Sequence, residues 1–321
     1  MSGGYTVAVV GAGLVGDRIV AELRRRDFPI KELRVLARTA RTATLAGEEF
    51  EVGVAEPDAF EGVDIAFFAG TEGEKGAAVQ LAGEAISRGA VVIDNGSDFR
   101  LDPDVPLVVP EVNADAVRDH DGLIANANCS TITMLLPLAP LIRHLGARKV
   151  VVSTYQAVSG SGREGVDALE DGREGVYPKE IRGNAIPLIG GVGDDGYTTE
   201  ERKMRLESRK ILGIPDLDVY ATTVRIPVHT AHSESVFVET ENETTLEEVT
   251  GILRSAPGVV FSGDADDFPT PLEAAGDSGT FVGRVRVEGT NVQFWCVSDN
   301  LLKGAATNAV QIAEELVGVR V

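Results

Sequence analysis

At 321 residues, with 43% hydrophobic and 25% charged side chains, the chain has the composition of a globular protein and the length of two α/β domains, and no apolar run of ~18 residues could span a membrane. Fifty acidic against thirty basic residues give a formal charge of -20, which repels phosphate backbones and argues against a nucleic-acid partner. The first ten residues lack a secretory signal, and the two cysteines, Cys129 and Cys296, have neither a disulfide framework nor Cys-x-x-Cys spacing, so a cytoplasmic protein without a metal site is expected.

Residues 5–10 form a short apolar, β-branched run that ends in Gly11-Ala12-Gly13-Leu14-Val15-Gly16, followed by Ile19, Val20 and Leu23 at helical spacing. Strand, glycine turn and helix follow in that order. Residues 33–36 and 63–68 read as the second and third strands, 74–88 as a helix closed by Gly89, and 90–93 as another buried strand. Near-continuous apolar strands alternating with helices require a parallel sheet covered on both faces, so a Rossmann-like doubly wound nucleotide-binding domain is expected over the first ~125 residues. The helical stretch 131–145 contains Pro137 and Pro140, each of which removes an intrahelical hydrogen bond, and a kinked or interrupted helix is expected.

From Lys149 onward, longer strands (149–156, 218–228, 233–240, 280–288 and 291–297) follow one another with fewer helices. They predict an α+β domain built on a mixed, largely antiparallel sheet. In 303–316, Ala306, Val310, Ile312, Ala313 and Leu316 share a helical period suited to packing back on the first domain. The expected division is therefore 1–127 with 303–321 for nucleotide binding, and 128–302 for the rest.

The turn Gly11, Gly13, Leu14, Val15 and Gly16 follows a strand and opens a helix, so its amides would face a pyrophosphate. NAD sites place an acidic residue at the end of the second strand; here that position holds Arg38-Thr39-Ala40-Arg41. Arginine and hydroxyl groups pair with a 2′-phosphate, which points to NADP bound by Arg38, Thr39 and Arg41.

Cys129 lies in Asn126-Ala127-Asn128-Cys129-Ser130-Thr131, ahead of a helix for which Ser130 or Thr131 is the expected cap. A helix N-terminus favours thiolate over thiol. Cys296, inside Gln293-Phe294-Trp295-Cys296-Val297, reads as a small buried side chain.

The chain resembles the aspartate-semialdehyde dehydrogenase family over nearly its full length. The matching stretches are Val92-Ile93-Asp94-Asn95 with Phe99-Arg100, the run from Asp102-Pro103-Asp104 to Pro110-Glu111-Val112-Asn113, Asn128-Cys129-Ser130-Thr131, and Val151-Val152-Ser153-Thr154-Tyr155-Gln156-Ala157-Val158-Ser159-Gly160. Gly196-Tyr197-Thr198 with Glu200-Glu201-Arg202-Lys203-Met204, Arg225-Ile226-Pro227-Val228, His232-Ser233-Glu234 and Ser298-Asp299-Asn300-Leu301 complete them.

The resemblance implies the NADP-dependent, reversible reductive dephosphorylation of L-aspartyl-β-phosphate to L-aspartate-β-semialdehyde, in the biosynthesis of lysine, threonine and methionine. Cys129 would be the covalent nucleophile, His232 the general acid/base with His229 as rival, and Gln156 a positioner of the acyl group, with backbone amides near Cys129 stabilising the oxyanion. Arg225 would clamp the substrate carboxylate, Glu200 its ammonium, and Lys203 with Arg100 its phosphate. Asn128 and Asn308 match positions implicated in phosphate or nicotinamide contacts, and Ser159 and Gly160 are carried over as cofactor contacts. At least a homodimer, assembled through the second domain, is also implied. The chain departs from the family's usual G-x-x-G-x-x-G turn, from its Ser-x-Arg-Ser after the second strand, from the glycine before the histidine (here Ala231), and at Gly96 and Asp98. The alternatives are an N-acetyl-γ-glutamyl-phosphate reductase, whose substrate has no free ammonium and no need of Glu200, and a catalytically silent paralogue with a binding role.

Overall fold

The computed structural model describes residues 3–70, 73, 75–263 and 266–319. The chain divides into two compact units, Met1–Ala127 with Ala305–Val321, and Asn128–Gly304. Lys303 and Gly304 thus belong to the second unit rather than the first, and Gly304 has a physical reason: it packs against Cys129.

In the first unit, β1 (Tyr5–Val10) alternates Val7 and Val9 toward one core with Ala8 and Val10 toward another. The first core takes Ile19, Val20 and Leu23 from α1 (Leu14–Arg25). The second takes Ala78, Ala82 and Ala85 from α2 (Ala77–Ser87). Each enclosed aliphatic side chain contributes about 1.5–3 kcal/mol, and a strand buried on both faces cannot carry polar residues, which is why β1 reads as an unbroken apolar run. The helix expected over 74–88 is Ala77–Ser87, and Glu74 lies outside the described residues.

The strands β2 (Ile30–Ala37), β3 (Arg41–Leu45), β4 (Glu48–Val54), β5 (Ile65–Phe68), β6 (Val91–Asp94), β7 (Leu107–Val108) and β8 (Leu123–Asn126) join β1 in the order β3-β4-β2-β1-β5-β6-β8-β7. Every pairing is parallel except β3 with β4. That hairpin was not expected, because Leu45 and Val52 are its only fully buried members and no apolar run marks it. It begins four residues after β2 ends and turns at Ala46 and Gly47, both at positive φ. A single turn of helix, α3 (Pro110–Asn113), precedes β8. The C-terminal helix, Thr307–Val317, is preceded by a π-helical turn at Leu302–Ala306 and is tied to its unit by Arg26, whose Nε and Nη2 both donate to the Glu314 carboxylate at 2.6–2.7 Å.

In the second unit, α4 (Cys129–Leu145) runs as one helix through Pro137 and Pro140, so the expected interruption is absent. Thirteen of its residues are buried, and that packing outweighs the lost backbone bonds. The sheet contains β9 (Lys149–Gln156), β10 (Asp218–Arg225), β11 (His232–Glu239), β12 (Val259–Phe261), β13 (Thr280–Glu288) and β14 (Asn291–Ser298), ordered β10-β9-β11-β14-β13-β12. The two outermost pairings are parallel and the three inner ones antiparallel, a mixed and largely antiparallel sheet. β10 stops at Arg225, short of the expected 228, because Pro227 cannot donate to a ladder. The helices α5 (Gly162–Glu170), α6 (Thr199–Leu212), α7 (Leu246–Ser255) and α8 (Pro271–Ala274) complete the unit, α6 being started by a capping box of Thr198 and Glu201. Among the described residues no helix is long and apolar enough to cross a membrane, and no His, Cys, Asp and Glu cluster could hold a metal.

Candidate active site

The three turn glycines answer to three different constraints. Gly11 sits at φ +118°, and a Cβ there would lie 2.6 Å from the Ala69 carbonyl oxygen. A Cβ on Gly16 would collide with the Gly11 carbonyl, so the helix can approach the strand only without one. Gly13 caps α1, is exposed and has nothing within 4 Å of where its Cβ would be, which leaves backbone open to an incoming pyrophosphate. Leu14 and Val15 begin the helix, half-buried. Arg38 and Thr39 follow the end of β2, Arg41 opens β3, and all three are exposed. The glycine turn fits a dinucleotide.

Elsewhere in this unit, Arg100 is buried with Nη2 donating to the Asn95 carbonyl at 2.8 Å. Asn308 is fully enclosed, and its Nδ2 donates to the Val108 carbonyl (3.0 Å) and to Asn126 Oδ1 (2.6 Å), tying the C-terminal helix to β7 and β8.

In the second unit, Cys129 is the first residue of α4 and is partly exposed. The cap is Asn128, not Ser130 or Thr131: Asn128 Oδ1 accepts from the Ser130 amide (3.0 Å) and the Thr131 amide (3.1 Å). An amide oxygen one residue before the helix reaches both amides, a geometry that residues already inside the first turn cannot adopt. The expected pool of free amides beside Cys129 is smaller as a result. The Asn128 amide is also committed, donating to Glu207 Oε2 at 2.7 Å.

Asn128 Nδ2 and Gln156 Nε2 both donate to Glu200 Oε1, at 3.0 and 3.1 Å, while Lys203 Nζ stands 3.7 Å from Glu200 Oε2. Gln156 is oriented in turn by Thr154, whose hydroxyl donates to its Oε1 at 3.0 Å. Residues from α4, α6 and β9 thereby converge on one carboxylate.

His232 is the first residue of β11 and fully buried. Its Nδ1 accepts from the Ala157 amide at 3.0 Å, and the Ala157 carbonyl accepts from Arg225 Nη1 at 2.6 Å. Burial, reinforced by the Arg225 guanidinium and opposed by the Ala231 backbone, pushes the imidazole well below its ordinary pKa and keeps it neutral. Gly160 opens the space between the two: a Cβ on it would lie 2.8 Å from Arg225 Nη1 and 3.3 Å from His232 Nε2. Ser159, just before, exchanges hydrogen bonds with Asn300, whose Oδ1 also accepts from the Ala231 amide at 3.0 Å. The His229 side chain is more than half exposed beside Glu170, and only its backbone carbonyl, which accepts from the Ser159 amide at 3.1 Å, touches this network.

Four residues not singled out in the sequence belong to this constellation. Glu207 follows Glu200 by two helical turns, a spacing that could have revealed it. Asn300 and Gly304 are placed by tertiary contacts alone. Glu234, two residues beyond His232 on the same sheet face, is fully buried with no hydrogen-bond partner for either oxygen. Burial, and then repulsion from Glu200, pushes its carboxyl well above the usual range.

A dinucleotide turn in one unit and a helix-capped cysteine with a buried histidine in the other define a semialdehyde dehydrogenase. The family models "Semialdehyde dehydrogenase, NAD binding domain" and "Semialdehyde dehydrogenase, dimerisation domain" match residues 6–120 and 138–303. Aspartate-semialdehyde dehydrogenases of Bacillus subtilis and Aquifex aeolicus are 45% and 44% identical, over 98% of this chain and 98% of theirs. The crystal structure of aspartate semialdehyde dehydrogenase II from Vibrio cholerae, complexed with ASA, superposes with a TM-score of 0.93 at 40% identity, covering 99% of each chain. The chain belongs to the aspartate-semialdehyde dehydrogenase family.

Proposed function

We propose that the protein catalyses the reversible, NADP-dependent conversion of L-aspartyl-β-phosphate and L-aspartate-β-semialdehyde through a thioester on Cys129. The observation that carries this reading is the placement of Cys129 at the start of α4, partly exposed, beside a network in which Asn128 and Gln156 fix the Glu200 carboxylate. A thioester serves because its carbonyl carbon accepts hydride and also exchanges with phosphate.

Each end of the substrate has a counterpart. Glu200 is the acceptor for the α-ammonium, and a buried carboxylate has no comparable use for an N-acetylated substrate, which disfavours the acetylglutamyl alternative. Arg225 is nine-tenths buried, spends Nη1 on Ala157 and has no partner at Nε, so its fork is available to the α-carboxylate. Lys203, beside Glu200, is the cation for phosphate. The glycine turn would hold NADPH, with Arg38, Thr39 and Arg41 for its 2′-phosphate, and the cofactor would supply the hydride there.

Self-association as a homodimer follows the family's dimerisation domain, and the sheet face carrying Val151 and Tyr220, each about two-fifths exposed at 40% and 41%, is the surface it would cover. Cytoplasmic residence suits two cysteines that form no disulfide.

The test is an assay in the phosphorolytic direction, with aspartate semialdehyde, inorganic phosphate and either NADP or NAD. Phosphate-dependent reduction that favours NADP is expected. A preference for N-acetylglutamate semialdehyde would sink the substrate assignment, and a preference for NAD would sink the role of the two arginines.

A further inference from the structure

We propose that Glu207 is a positioning residue for the nucleophile: its carboxylate, by holding the Asn128 main-chain amide, sets where the chain enters α4 and so where Cys129 stands. This rests on the thioester reading above and adds to it a residue that acts through the backbone.

The buried stripe of α6 is Glu200, Met204, Glu207, Ser208 and Ile211, at the three- and four-residue steps that apolar side chains normally fill. Two of the five are glutamates. Enclosing a carboxylate is costly unless donors meet its oxygens, so each must answer to something in its surroundings. Glu200 receives Asn128 Nδ2 and Gln156 Nε2, and its use is the substrate ammonium. Glu207, two turns further on, is fully enclosed, and its Oε2 accepts from the Asn128 amide at 2.7 Å. A bond of that length to a carboxylate is among the stronger ones a backbone amide makes.

Every hydrogen-bonding group of Asn128 is engaged. The amide meets Glu207, Nδ2 meets Glu200, Oδ1 accepts from the Ser130 and Thr131 amides, and the carbonyl accepts from the Ile132 amide at 2.9 Å. The bonds to Ser130, Thr131 and Ile132 are the start of the helix itself and would travel with it. Of the partners, only the two glutamates lie outside α4, and both come from α6. Glu200 holds Asn128 through rotatable side-chain bonds, whereas Glu207 holds the peptide plane that leads into Cys129. On the other side of the nucleophile stands Gly304, where a Cβ would lie 2.9 Å from the Cys129 Cβ. Cys129 is therefore fixed from both sides, by the peptide before it and by the glycine against it.

Asn128 is itself buried, so without Glu207 its amide would be enclosed and unmatched, and the peptide would turn to find a partner. A shift of about 1 Å at the sulfur is enough to cost on the order of 10²-fold in rate. The acceptor oxygen, rather than the charge, is what this arrangement requires. One helix thus carries both the acceptor for the substrate ammonium and the seat of the thiol that attacks the same substrate.

The experiment compares three variants of the intact protein. Glu207→Gln keeps an acceptor oxygen and removes the charge, Glu207→Asp keeps the charge and withdraws the oxygen by one methylene, and Glu207→Ala removes both. Each is mixed rapidly with aspartate semialdehyde and NADP, so that the burst of reduced cofactor reports acylation, and KM is taken from steady state with phosphate. Expected is a burst about 10²-fold slower in Glu207→Ala and Glu207→Asp, with at least about tenfold recovery in Glu207→Gln and KM within about threefold of the parent throughout. Alkylation of Cys129 by iodoacetamide, mapped by peptide mass, should proceed at the parent's rate, because a small reagent needs no alignment with a bound carbonyl. If Glu207→Ala does not fold, the order of Glu207→Gln above Glu207→Asp still decides. Glu207→Asp at or above Glu207→Gln, a KM that carries the loss, or alkylation that slows in step with the burst would overturn the proposal. The thioester reading fails separately, by the absence of an acyl adduct on Cys129 in the parent protein.

Discussion

Gly304 lies so close to Cys129 that a Cβ on it would stand 2.9 Å from the Cys129 Cβ and 3.3 Å from its Cα. The first residue of α4 therefore depends on a glycine 175 positions later in the chain for its place. Gly304→Ala would displace the nucleophile by several tenths of an ångström, and kcat/KM should fall by about 10²-fold, because reacting atoms tolerate little misplacement. Steady-state assay together with a thermal melt checks this: the melting temperature should move far less than the activity.

Glu200 receives two neutral amides and sits 3.7 Å from Lys203. If its charge meets the substrate ammonium, Glu200→Gln raises KM for aspartate semialdehyde by about 30–100-fold, the worth of one charged hydrogen bond, and narrows the preference over succinate semialdehyde, which lacks the amino group. Competition assays of the two aldehydes measure that ratio, and an unchanged ratio would remove Glu200 from the ammonium site.

Glu234 makes a prediction about stability and pH. Its folded-state carboxyl titrates above the ordinary value of 4.5, through burial and then Glu200, so the folded chain holds a proton that the unfolded chain releases. The stability attached to that proton is complete below pH 4.5 and is lost as pH rises toward the folded-state value. Glu234→Gln removes the titration. The variant should gain on the parent as pH rises from about 5 to 8, by about 2–4 °C in melting temperature for each kcal/mol, as read by melts in matched buffers.

Ala231 holds φ at +73° immediately before His232, anchored by Asn300. A side chain in that region costs about 1–2 kcal/mol, part of which glycine returns as extra freedom in the unfolded chain. Ala231→Gly should stabilise the protein by about 0.5–1 kcal/mol in urea unfolding, with an unchanged slope.

What the sequence disclosed follows from how local each signal is. The strand β1, its glycine turn and α1 are legible because Val7, Val9, Ile19 and Leu23 repeat at the periods that their burial demands. The hairpin β3–β4 was hidden because its exposed strands carry Arg41, Glu48, Glu49 and Glu51 instead of an apolar run. The α4 cap was placed two or three residues late: Asn128, Ser130 and Thr131 can all cap a helix, and only the backbone geometry selects among them. At the site, Cys129, Gln156, Glu200, Lys203, Arg225 and His232 were named in advance and fall in one unit. The enclosure of Glu207 and Glu234 depends on which strands and helices cover them, and the hydrogen bond that seats His232 comes from an amide 75 residues away.

The most direct test of the covalent, phosphate-coupled chemistry is a rapid-mixing experiment with aspartate semialdehyde and NADP, without phosphate, followed by intact-protein mass spectrometry. The account predicts a burst of reduced cofactor equal to the number of active sites, a mass increase of one aspartyl group that maps to Cys129, and steady turnover only once phosphate is added. Sustained turnover without phosphate or water-derived hydrolysis, or a burst that survives Cys129→Ala, would contradict it.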